Sequence, residues 1–239
     1  MVATSPRLPL ALKLSVTAFL AVLVPVYTDN YGPTNFLYFC DVALLLAFVS
    51  LWMERPLFAS MAAVGILVPQ VLWCLDFAAE LLGVHLVGLT GYMFDPQRSF
   101  LLRGLSFFHG WLPFLLLFLV RHLGYDRRAL WAWTALGWGL CLVAYFLLPA
   151  AGTVLADPKT PVNINYVFGF DDAKAQTWLP RPVYLLGWMA TLLLAIYLPT
   201  HLLLRQWMGS APVSRASAST SSLVNEQLLN QNAQSIVVS

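Results

Sequence analysis

Charge is what this 239-residue sequence has least of: 10% of its residues are Asp, Glu, Lys or Arg, against about 25% in an ordinary soluble domain. A soluble chain of this length still has to cover itself with polar groups, whereas a lipid-embedded one does not. The formal net charge of +2, with no basic patch interleaved with aromatics, sets nucleic-acid partners aside. There are three cysteines, Cys40, Cys74 and Cys141. All lie in apolar runs, and an odd number there is no disulfide framework; they read as small packing residues. No His-x-x-x-His spacing points to a metal, no cofactor motif is present, and no lipidation motif or Asn-x-Ser/Thr sequon occurs.

What the sequence has instead is hydrophobic residues, 59% of the total, gathered into long runs bounded by charges, prolines and asparagines. A helix needs about 20 apolar residues to cross the hydrocarbon core. The runs predict an all-α integral membrane bundle of about six transmembrane helices at about 8–27, 35–53, 57–82, 100–120, 129–148 and 182–204. The first run is longer than a signal-peptide core and no small-x-small cleavage site follows it, so it reads as a retained helix. Pro69 predicts a kink in the third. Residues 209–239, rich in Ser, Ala, Asn and Gln, read as a mobile cytoplasmic tail.

Six crossings put both termini on one side. That side carries Arg7, Lys13, Arg55, Arg121, Arg127, Arg128, Arg205 and Arg215, mostly in short segments. The other carries Arg98, Arg103, Lys159, Lys174 and Arg181, spread over longer loops. The positive-inside rule makes the first side cytoplasmic, in a cell membrane. Two long loops, 83–99 and 149–181, then lie outside. The second contains Asn163-Ile-Asn-Tyr-Val-Phe-Gly169 and reads either as a lid over the bundle or as a connector packed on the helix ends. No internal repeat is evident, against the two-halves plan of many transporters.

Ionisable side chains at membrane depth need a partner, water or a function. Asp41 falls about 9 Å below the outer boundary, Asp76 about 9 Å and Glu80 about 3 Å, at 1.5 Å per residue. Asn35 marks the outer end of the second helix, and His109 lies in the outer half of the fourth. These residues converge on one leaflet, and Asp76 and Glu80, at i and i+4, share a helix face. Such a set is either an interhelical network that fixes packing or a functional polar cavity. As a cavity it would suit general acid–base work, with Cys40 beside Asp41 as a nucleophile and His109 as base.

The stretches Asn35-Phe-Leu-Tyr-Phe-Cys-Asp41, Phe108-His-Gly-Trp-Leu-Pro113, Gly124-Tyr-Asp-Arg-Arg128 and Asn163–Gly169 resemble uncharacterised bacterial multi-pass membrane proteins. The six-helix plan is similar, more distantly, to YwaF-type membrane proteins and to the androgen-induced-gene type of intramembrane lipid-ester hydrolases. The latter likeness implies a nucleophile on an early helix paired with a histidine on a later one. His109 matches the histidine. No threonine lies within the second helix, which leaves Cys40 at the nucleophile position.

Three functions are therefore expected of such a chain. The first is hydrolysis or acyl transfer on a lipid or other lipophilic substrate, with His109 as base, Asp76 or Asp41 orienting it, and membrane lipids as partners. The second is proton- or cation-coupled transport through Asp41, Asp76 and Glu80; apart from Gln70, the inner halves of these helices offer it little, and the last two helices look mainly apolar. The third is a non-catalytic scaffold or sensor.

Overall fold

The computed structural model describes residues 8–157 and 159–208; the tail expected at 209–239 lies outside the described residues. Among them there are eight α-helices and no strand: α1 (Leu10–Tyr31), α2 (Phe39–Met53), α3 (Pro56–Leu81), α4 (Phe100–Ser106), α5 (Phe108–Leu123), α6 (Ala129–Leu147), α7 (Arg181–Thr191) and α8 (Leu198–Trp207). A π-helical segment, Leu192–Tyr197, joins α7 to α8. α4 and α5 continue one another through Phe107, which keeps helical dihedrals. Five rods are long and apolar enough to cross a membrane: Leu10–Tyr31, Pro56–Leu81, Phe100–Leu123, Ala129–Leu147 and Arg181–Trp207. α2 is apolar but shorter, with 15 residues.

The differences from the expected spans have local causes. α1 runs on to Tyr31 and stops where Gly32 takes φ +78°, a left-handed value that suits glycine at a helix end. Pro33 follows and opens a 3₁₀ turn, Pro33–Leu37. The expected second span therefore begins not in α-helix but in this turn, and Asn35 is buried in it. α2 starts at Phe39, whose N–H is capped by the side chain of Asn165, far along the chain.

α3 is the central rod. Of its most apolar window 61% is buried, against 22% for α1 at the rim. It packs on α2, α5, α6 and α8. Gly65 makes one of these contacts possible, because the Trp133 indole of α6 occupies the space a Cβ would need.

Candidate functional site

The junction between α4 and α5 shapes one end of the bundle. Ser106 ends α4, and its carbonyl accepts a hydrogen bond from His109 Nδ1 at 2.8 Å. Since a carbonyl can only accept, Nδ1 carries the hydrogen and the neutral ring keeps its lone pair on Nε2. The ring stacks on Trp73, with centroids 5.3 Å apart. Trp73 donates its indole N–H to the Tyr92 hydroxyl at 3.2 Å. The Ser106 hydroxyl meets the Tyr27 hydroxyl at 2.7 Å. Ser106 and Trp73 thus tie α1, α3, α4, α5 and the 83–99 loop into one polar neighbourhood.

Cys40 and Asp41 open α2 beside it. Asp41 is 3% exposed. One carboxylate oxygen accepts only from the Cys40 thiol, at 3.6 Å, and Oδ1 has no partner. No cation lies within ion-pair distance of it among the described residues. Three phenols gather round the pair. Tyr38 is one of them, half-buried immediately before α2. Tyr166 is pushed up to about 12 by burial, then by Asp172 and Cys40. Burial also raises Tyr92, with Cys40 adding to the shift, while its bond to Trp73 and the nearby Arg98 oppose it.

The loop 149–180 covers this region. Ile164, Asn165, Val167 and Phe168 are buried, and Asn163, Asn165 and Tyr166 hold left-handed dihedrals, with φ of 53°, 59° and 59°. Asparagine tolerates that conformation better than most residues; tyrosine does not, and its presence there is strain held by packing. Asn165 accepts from Phe39 N at 3.0 Å and donates to the Leu37 carbonyl at 2.9 Å, so it pins the loop to the start of α2, next to Cys40 and Asp41.

Asp41, Asp76, Glu80 and His109 do not bond to one another. Asp76, fully buried, accepts from Val87 N, Gly88 N, Thr90 N and Thr90 Oγ1 at 2.8–3.1 Å. Glu80 pairs with His85 at 2.7 Å. Asp76 and Glu80 share a face as expected, but that face serves the 85–90 segment. The carboxylate expected to orient His109 is replaced by the Ser106 carbonyl. Counting residues along a helix fixes depth, whereas facing is set by rotation of 100° per residue, and this is why equal depth did not bring the groups together. Cys40 has a carboxylate as its hydrogen-bond partner, which disfavours a thiolate, and no bond joins it to His109.

Polar groups also reach the other half of the bundle, where the sequence had promised little beyond Gln70. Gln70 is 3% exposed and its Oε1 has no partner. Trp133 and Tyr197 are fully buried with edge-on rings 6.3 Å apart, and Trp133 Nε1 and the Tyr197 hydroxyl have no hydrogen-bond partner beyond each other. Tyr197 closes the π-helical segment, a feature often found at functional sites. Beyond it the Tyr125 hydroxyl bonds His201 Nδ1 at 2.6 Å, both side chains buried. Sequence reasoning missed Tyr27, Ser106 and the Tyr125–His201 pair. Ser106 had a signal, standing three residues before His109 on the same helical rod.

Comparison with protein-family models, with characterised proteins and with solved structures gives no match.

Proposed function

We propose that this chain is a cell-membrane carrier of six crossings, coupled to protons or cations at Asp41, with both termini cytoplasmic. The sixth crossing is α2 together with the 3₁₀ turn that leads into it: α2 alone gives about 22 Å at 1.5 Å per residue, short of the roughly 30 Å of hydrocarbon, and Pro33–Tyr38 covers the remainder. The observation that carries the reading is the buried Asp41 carboxylate with a free oxygen and no counter-cation. An isolated buried carboxylate is costly, so the group takes up a proton or a cationic ligand. The unpartnered Gln70 Oε1 and the buried polar atoms of Trp133 and Tyr197, followed by Tyr125–His201, support a route from there toward the cytoplasmic side. The outer loop pinned by Asn165 is the cover over its other end.

Proteoliposomes containing a pH-sensitive dye test this. Imposed Na⁺, K⁺ or ammonium gradients should drive proton movement in wild type. Asp41→Asn should abolish it, while Asp76→Asn, whose carboxylate is spent on a loop, should keep it. Flux equal to protein-free liposomes, or unchanged in Asp41→Asn, sinks the reading.

One observation favours a second reading, lipid hydrolysis or acyl transfer. His109 Nδ1 is anchored to a carbonyl, which leaves Nε2 as a base oriented by Trp73. Membrane-lipid profiles of His109→Ala and wild type decide it: an altered profile supports hydrolysis, and an identical profile at equal protein abundance removes it.

A further inference from the structure

A groove of about 600 Å³ separates α1 from α5. Its walls include Ser15, Val16 and Phe19 on one side and Trp111, Phe114 and Phe118 on the other. α1 packs on α2, α4 and the 3₁₀ turn, and runs antiparallel to α5, so Phe19 stands opposite Trp111. These two rings meet edge-on at 5.1 Å and close one end of the groove. From Trp111 the lining face of α5 descends through Phe114 to Phe118, and Arg121 follows one turn beyond the lining on the same stripe, the four standing at i, i+3, i+7 and i+10. That is about 15 Å, half of a roughly 30 Å hydrocarbon core. The lined groove is about 10 Å long at 1.5 Å per residue, apolar and closed at the Phe19–Trp111 end, and with Arg121 one turn beyond its open end it spans the depth of one leaflet. Arg121 is exposed and no acid stands within ion-pair distance of it among the described residues. Of the other cations at this end, Lys13 is matched with Glu54 and Arg128 with Asp126, each at 2.7 Å, while Arg55, Arg127 and Arg205 lie off the stripe that lines the groove.

We propose that this groove binds one acyl chain of an anionic phospholipid, from the leaflet next to the 124–128 turn, with the lipid phosphate on Arg121. The volume falls in the range of small-molecule sites, about 300–1,000 Å³. Depth and charge commit it to a lipid of that leaflet: a soluble anion would leave the apolar length unused, and a lipid of the opposite leaflet would meet the closed end. The proposal does not depend on the carrier reading.

The full chain in nanodiscs of equal phosphatidylglycerol and phosphatidylcholine, released gently and weighed by native mass spectrometry, tests it. Wild type should retain one phospholipid and favour phosphatidylglycerol by about fivefold, one basic side chain's attraction for an anionic lipid. Arg121→Gln should keep the lipid but bring the ratio close to that of the disc. Ser15→Trp, at an exposed wall position, should lose it at an unchanged melting temperature; Phe114→Trp on the facing wall gives the same readout should Ser15→Trp not fold. No retained lipid in wild type overturns the proposal. So does full retention in a folded wall variant, or an unchanged preference in Arg121→Gln.

Discussion

Asp41 and Asp76 are the same residue type at the same calculated depth, and their surroundings make them opposites. Asp76 accepts four hydrogen bonds from Val87, Gly88 and Thr90; Asp41 leaves one oxygen empty. Asp76→Asn turns one acceptor oxygen into a donor facing donors. It should cost about 1–3 kcal/mol, a melting temperature lower by about 2–12 °C, with faster proteolysis at 84–90. Asp41→Asn should leave stability unchanged or higher, since it removes an unpaired buried carboxylate. Thermal unfolding in detergent compares the two, and equal losses would refute the contrast. Gly65→Ala places a methyl group where the Trp133 indole lies. It should cost about 1–3 kcal/mol through overpacking, partly regained with Trp133→Phe.

At the scale of elements, α2 takes its starting point from the 149–180 loop. Asn165→Ala removes both bonds to the Leu37–Phe39 backbone and should cost about 1–2 kcal/mol, as lost caps do. Cys40, beside Asp41, reports on the opening: its labelling by an externally added maleimide should speed up in Asn165→Ala, and an unchanged rate would deny the loop its covering role. The 81–90 connection has its own pH dependence. Hydrogen bonding to Glu80 raises His85 above its ordinary 6.5. A raised imidazole stabilises most below its ordinary value, and the contribution fades as pH climbs through the folded one. Hydrogen exchange over residues 80–86, corrected for intrinsic rates, should therefore be less protected near pH 8.5 than near pH 6, and Glu80→Gln should erase the difference.

For the whole molecule, the proposed orientation puts Asp126 and Asp157 on opposite sides of the membrane. Single cysteines at the two positions in intact cells should label from opposite faces, and labelling from the same face would overturn six crossings. The rods were legible in the sequence because lipid exposure leaves nothing ambiguous in a 20-residue apolar run. Their ends agree within a few residues, save where Gly32 and Pro33 interrupt the second span. The site was legible only in part. Asp41 and His109 could be assigned a depth, but which way each faced depended on packing between helices that the pattern does not encode. Asn165 stood inside a noted motif, yet its bond to Phe39 spans 126 residues, a distance over which local patterning carries no information. The inner groups were hidden because Trp133 and Tyr197 count as apolar in a hydropathy scan, although each carries one polar atom.

That same span sets an order of assembly. The ribosome delivers Phe39 long before Asn165, by roughly 6–25 s at 5–20 residues per second. Throughout that interval α2 lacks the side chain that caps it, and Asp41 has no cover. Closure of this end of the bundle is therefore among the last events of biosynthesis. A chain halted before the final loop would carry Asp41, Asp76 and Glu80 and still lack the loop that covers Asp41.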